Sequence, residues 1–212
     1  MVLKSRRAKE KQERAECILD AAESVFFKKG FNHTTMDEIS QGAGLSRALL
    51  YVYFTDKSAI MRAIMLRAAE EMESRFEQAL RAGKNGLAQI HGIGHAYYAF
   101  STEASDYFDV LTDLNTFPMP EEADEQMRQL DCSREEITAL MVVALENGLA
   151  DGTVDPARVR DTLQTAYYLQ GALHGVIMQT RRKTSVHHQY PDSKALVLYT
   201  IGMLTESMRL DS

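Results

Sequence analysis

The chain has 212 residues, 45% of them hydrophobic and 25% charged, with a formal net charge of −6. That length suggests one or two domains, and the composition excludes wholesale disorder, a collagen-like repeat and a disulfide scaffold. There are four prolines, none before Pro118, too few to punctuate an all-β chain, so helices are expected.

The two cysteines, Cys17 and Cys132, lie far apart in helical patterns. They read as free thiols in a reducing compartment. The basic opening MVLKSRRAKEKQER is followed by no apolar stretch and does not read as a signal peptide. No apolar run approaches the ~18 residues of a membrane helix. The expected setting is the cytoplasm, in association with the nucleoid, with no membrane partner.

Charge is unevenly spread. Residues 1–60 hold ten Lys and Arg against eight Asp and Glu, a net of +2; the remainder is −8. Residues 1–14 alone are +4. A basic end on an acidic body suits a terminus that contacts DNA, because Lys and Arg on phosphates release counterions. A solvated tail would look the same.

The periodicity predicts a first helix over 10–29. Ile18, Ala21, Ala22, Val25 and Phe26 form one apolar stripe. Lys28 and Lys29 suit the negative helix end, and Gly30 is placed to stop it. A second helix is predicted from Thr35, where Thr35-Met36-Asp37-Glu38 fits a capping box, with Ile39 and Ala43 inward. Gly42-Ala43-Gly44 then turns sharply, Leu45 plugs the space beneath, and Ser46 caps a third helix, Arg47 to Phe54. Leu50 and Phe54 face the core of that helix; Arg47, Ala48, Leu49 and Tyr51 are left outside.

Helix, tight glycine turn, short helix is the geometry that places one helix end-first in a major groove. Arg47 has the fork for guanine O6 and N7, and Ala48 and Leu49 suit a thymine methyl. Thr35, Ser46, Tyr51 and Tyr53 suit phosphate oxygens. Lys57 begins the next helix beside free backbone N–H groups that also favour phosphate. A plain three-helix bundle without a ligand has the same local pattern.

The run Thr34-Thr35-x-x-x-Ile39-x-x-x-Ala43-Gly44-Leu45-Ser46-x-x-x-Leu50-Tyr51-x-Tyr53-Phe54-x-x-Lys57 resembles the N-terminal signature of the TetR family of bacterial transcriptional regulators. Ile18-x-x-Ala21-Ala22-x-x-x-Phe26-x-x-x-Gly30-Phe31 is similar to the same signature. The resemblance covers residues 12–72. Two departures stand out: Tyr53 where the family most often has histidine, and Arg47-Ala48 where many members have a small residue or glycine. The resemblance implies an all-α chain. Its N-terminal three-helix bundle, 12–72, would carry a helix-turn-helix at 35–54. A larger helical domain, 73–212, would bind an effector and dimerise.

After Lys57 a long helix is predicted to about Arg81, ending at Gly83-Lys84-Asn85-Gly86, which reads as the hinge between domains. By the resemblance this helix transmits movement. Next come a helix with Leu87, Ile90, Gly94, Tyr97, Tyr98 and Ser101 on one face, and a short one with Tyr107, Phe108, Leu111 and Leu114. Thr116-Phe117-Pro118-Met119-Pro120 breaks the chain before a longer helix, about 121–148. Asp155-Pro156 reads as an N-cap and N1 proline opening a helix with Val159, Leu163, Ala166, Tyr167, Gln170, His174 and Ile177 inward. The last helix follows Pro191, with Leu196, Tyr199, Thr200, Met203, Leu204 and Ser207 in one seam.

Two functions fit this body. Gly171, Ala172 and Gly175 let a second backbone approach closely. With Leu196, Tyr199, Met203 and Leu204 they suit a four-helix interface between two subunits, or packing within one. Tyr97, Tyr98, Phe108, Phe117, Met141, Tyr167, Gln170, His174 and Met178 supply apolar walls and sparse polar tips, which suits a small, mostly apolar effector and equally an ordinary core.

His91 and His95, four apart, have no third metal ligand at a compelling spacing. Gly42-Ala43-Gly44 follows a helix and lacks the third glycine of a dinucleotide fingerprint. No cofactor and no enzymatic activity are expected. The expected function is a homodimeric, sequence-specific DNA-binding regulator, a repressor released from a palindromic operator by its effector. The alternative is a helical protein-interaction or carrier module whose N-terminal bundle reads no DNA.

Overall fold

In the computed structural model, which describes residues 2–112, 125–181 and 191–211, the described chain forms nine helices. They are α1 (Val2–Lys29), α2 (Met36–Gly42), α3 (Arg47–Tyr53), α4 (Lys57–Ala82), α5 (Gly86–Glu103), α6 (Ser105–Thr112), α7 (Glu125–Ala150), α8 (Thr162–Arg181) and α9 (Ser193–Glu206). Among the described residues no helix is long and apolar enough to cross a membrane. The chain divides into two compact units: residues 1–68 with 109–130, and residues 69–108 with 131–212. The unit boundary therefore falls inside α4, and the Gly83–Gly86 turn, expected as a hinge, lies within the second unit.

The first unit is built on α1, α2, α3 and the first half of α4. Its core is Ile18, Ala22, Phe26, Ile39, Leu50, Ile60 and Ile64. The α1 helix begins at Val2, earlier than expected, because the basic run is itself helical: Arg6 pairs with Glu10 at 2.9 Å and Lys9 with Glu13 at 3.8 Å, each one turn on. Gly30 ends α1 at φ +82°, a left-handed conformation that L side chains rarely adopt. Arg67 of α4 ties down α1 through Glu16, Asp20 at 2.8 Å and Glu23 at 3.0 Å. Early in α4, Arg62 is buried and donates to Gln126 Oε1 at 3.1 Å, and Gln126 donates to the Ala59 carbonyl.

In the second unit, α5, α8 and α9 pack on one another around Ile93, Phe100, Leu173, Ile177, Val197 and Ile201. Gly86 opens α5 against the backbone of Gly148 in α7: a Cβ built on Gly86 would stand 1.9 Å from the Gly148 nitrogen. The Gly86 N–H donates to Asp151 Oδ2 at 2.7 Å.

One expected helix start is corrected. Asp155-Pro156 opens a turn, not α8. The Asp155 side chain accepts from Ala157 N–H, and its carbonyl accepts from Arg158 and Val159. Val159 is buried within this turn. Asp161 then caps the helix by accepting from Gln164 N–H at 2.8 Å.

Candidate functional site

The segment Thr35–Phe54 folds by local rules. The Thr35 side chain accepts from Glu38 N–H while Glu38 Oε2 accepts from Thr35 N–H at 2.9 Å, a complete capping box. Lys29 at the end of α1 also pairs with Glu38. The Lys29 ammonium, then the Thr35 hydroxyl and N–H, hold the Glu38 carboxyl at about 2, well below its ordinary value. At the other end of α2, Leu45 N–H reaches the Ser40 carbonyl at 2.9 Å and Gly44 N–H the Gln41 carbonyl at 3.1 Å. This 6→1 and 5→2 pair needs a left-handed residue between, and Gly44 supplies it at φ +65°.

Ser46 caps α3 by accepting from Leu49 N–H. Leu50 is fully buried and Phe54 nearly so, which turns the opposite face outward: Arg47, Ala48 and Tyr51 are exposed, and Val52 is 71% exposed. Leu49, expected outside, is half-buried, and so is Tyr53. Thr35 and Ser46 are exposed at the two helix starts.

The Lys57 ammonium is already engaged. It donates to the Phe31 carbonyl at 2.6 Å and the Thr34 carbonyl at 3.0 Å, and lies 4.3 Å from the centre of the Phe31 ring. Burial, then the Lys29 charge, lowers its pKa. Lys57 thus braces the loop between α1 and α2.

The second unit holds a partly open cavity of about 50 Å³. Its walls are mainly apolar (Phe76, Ile93, Ile137, Met141, Leu169 and Leu173), with Tyr97, Thr138, Gln170 and Thr205 as polar members. Of the residues expected around an effector, Tyr97, Met141 and Gln170 line it. Phe108 is fully buried beside it, with its ring 5.5 Å from that of Tyr97 and 5.8 Å from that of His174. Tyr97 Oη lies 2.9 Å from His174 Nδ1. Tyr98 and Met178 are half-buried and outside the lining. Tyr167 is corrected outright: it stands on the outer face of α8, 60% exposed. The buried stripe of α8 is Ala166, Leu169, Leu173 and Ile177, which leaves Leu163 exposed too. Phe117 falls outside the described residues.

The outer faces of α8 and α9 carry Leu163, Tyr167, Tyr168, Tyr199 and Met203, all exposed. Gly171 and Gly175 sit among them with open space where a Cβ would be. Leu196 and Leu204 are half-buried beneath. The buried seam of α9 is Val197, Ile201 and Thr205, so the predicted seam is the flank and outer face of that helix. The His91 and His95 rings lie 4.5 Å apart on α5, tilted by 54° to one another. Among the described residues no group of three metal-ligating side chains assembles.

A family description, "Bacterial regulatory proteins, tetR family", matches residues 18–64. The chain is similar to the HTH-type transcriptional activator FasR of Mycolicibacterium smegmatis, 27% identical over 53% of this chain and 52% of that protein. It is also similar to the HTH-type transcriptional repressor BepR of Brucella suis, 43% identical over 34% of each chain. These matches span about half or less of those relatives' length. With the uncharacterized HTH-type transcriptional regulator TtgW of Pseudomonas putida the match is 31% identical and takes in 49% of this chain and 76% of that protein. Two solved structures share the fold. One is the TetR family transcriptional regulator PfmR of Thermus thermophilus, with TM-score 0.67, 19% identity, and 92% of this chain and 99% of that one covered. The other is a Rhodococcus protein of unknown function, with TM-score 0.74, 16% identity, and 93% and 96% covered. The capped α2, the Gly44 turn and the outward face of α3 thus sit within a signature shared at the level of sequence, on a fold shared over nearly the whole length: the chain belongs to the TetR family of bacterial regulatory proteins.

Proposed function

We propose that this protein is a homodimeric, cytoplasmic DNA-binding transcriptional regulator, released from a palindromic operator by a small apolar effector. The observation that carries the reading is the face of α3: Arg47, Ala48 and Tyr51 stand in solvent while Leu50 and Phe54 anchor the helix from behind. Arg47 suits guanine, Ala48 and Leu49 a thymine methyl, and Thr35, Ser46, Tyr51 and Tyr53 the flanking phosphates. Lys57 acts mainly by holding the loop before α2 in place. Two copies of α3, presented by a two-fold dimer, enter successive major grooves ~34–36 Å apart.

Dimerisation uses the exposed apolar faces of α8 and α9, where Gly171 and Gly175 admit a second backbone. The effector occupies the cavity beside Tyr97, Met141 and Gln170. At about 50 Å³ the cavity is smaller than the ~150 Å³ void that accepts benzene, so the effector widens it, and this strain displaces the DNA-reading heads. Repression is the sign proposed, after the BepR relative; the FasR relative is named an activator.

The test is a salt titration of duplex binding combined with a footprint on DNA flanking the gene. A DNA reader gives a steep fall of affinity with salt, and Arg47→Ala costs about 1–3 kcal/mol of sequence discrimination. A flat salt response with an indifferent Arg47 sinks the proposal. Effector and operator are coupled reciprocally, so equal effector affinity with and without operator removes the switch.

A further inference from the structure

Arg47 is held from two sides. Its Nη1 lies 3.1 Å from Asp37 Oδ1 and 3.2 Å from Oδ2, and its Nη2 lies 3.4 Å from the Tyr51 hydroxyl. The guanidinium carbon is 5.7 Å from the centre of the Tyr51 ring. Asp37 comes from the first turn of α2 and Tyr51 from one turn further along α3, so two elements fix one planar group. A guanidinium has five N–H donors in a plane; a carboxylate on one nitrogen and a phenol on another leave donors free.

We propose that Asp37 is the positioning residue for base readout: with the Tyr51 hydroxyl, it orients the Arg47 guanidinium so that its remaining donors meet a guanine edge as a fork. This rests on the DNA-reading function proposed above. The carboxylate has two effects of opposite sign. As a negative charge on the DNA-facing surface it repels phosphate and lowers affinity for any duplex. As a brace it removes the rotamer freedom by which a long arginine side chain wanders to a phosphate or a neighbouring base, and so raises discrimination. Asp37 thus exchanges general affinity for specificity, which neither a helix-stabilising role nor a simple surface charge would do.

The experiment uses the full chain, with base preference read by selection from randomised duplexes and affinity for chosen and mixed duplexes measured across salt. Asp37→Asn is expected to bind mixed duplex more tightly while the ratio of chosen to mixed affinity falls about tenfold. Tyr51→Phe lowers the same ratio by a smaller factor, and Asp37→Glu restores part of it. In an Arg47→Ala background Asp37→Asn leaves the ratio unchanged. Parallel loss of both affinities on Asp37→Asn overturns the inference, since that marks a structural role, as does a loss of ratio that persists without Arg47. Salt-dependent, sequence-selective binding by the wild type with no change of ratio on Asp37→Asn refutes the brace alone; a wild type indifferent to salt refutes the DNA-reading function itself.

Discussion

Tyr97 of α5 and His174 of α8 meet through a 2.9 Å contact between the phenol oxygen and Nδ1, at the edge of the second unit's cavity. Burial pushes the phenol's pKa up, so it keeps its proton. Burial, then the Arg181 charge, pushes the imidazole's pKa down, which favours the neutral ring. The unfolded histidine titrates near its ordinary value of about 6.5 and the folded one lower. Between those values the unfolded state binds more protons, so stability is full above about 6.5 and declines as the pH drops toward the folded value. Tm measured from pH 7.5 to 5 should fall, and His174→Gln should flatten part of that fall. His95, lowered by burial and then by His91, contributes in the same direction. A slope untouched by His174→Gln would mean that the Tyr97 contact does not constrain the proton.

Glu38 gives the opposite sign. Its folded pKa of about 2 lies below the ordinary carboxylate value, so its contribution is complete above about 4.5 and disappears as the pH falls toward 2. The side-chain carbon resonance of Glu38 should titrate near the lower value in the wild type. In Lys29→Met, which removes the largest cause, it should move back up. An unmoved midpoint would place the cause in the capping box alone.

The head was legible because its signals are local. A threonine three residues before a glutamate, and a glycine two residues past the helix end, specify α2 and its turn within ten residues. The body was less legible because α8 is apolar on two faces. Leu163 and Tyr167 face outward while Ala166, Leu169, Leu173 and Ile177 face the core, so no single stripe marks the inside. Asp155-Pro156 misleads for a similar reason: its capping chemistry is real but serves a turn, and Asp161 caps the helix six residues later. Asp37 and the Tyr97–His174 contact were missed because they depend on which elements pack together. Arg47 lies ten positions from Asp37, and His174 lies 77 from Tyr97.

Gly86 and Gly148 hold α5 and α7 at backbone contact, where a Cβ on Gly86 would stand 2.2 Å from the Gly148 Cα. Backbone cannot swing aside like the tip of a side chain, so Gly86→Ala must separate the helices and strain the bond from Gly86 N–H to Asp151. Overpacking costs about 1–3 kcal/mol where a core can give, and this site should reach at least the top of that range in urea unfolding. A loss below ~0.5 kcal/mol would show that the approach is looser than its geometry.

Gly171 offers the reverse case. A Cβ there meets nothing within 4 Å in the single chain, as at Gly175 and Gly202. In an isolated subunit Gly171→Ala should therefore stabilise α8 by about 0.5–1 kcal/mol through helix propensity alone. If the outer faces of α8 and α9 close on a second copy at backbone distance, the same methyl intrudes between subunits and weakens the dimer. Gly175→Arg, far larger, should yield monomers of unchanged helicity. Sedimentation across a concentration series, alongside thermal unfolding, separates these effects. A more stable protein with an unaltered dimer constant, together with a dimeric Gly175→Arg, would move the subunit interface away from this face.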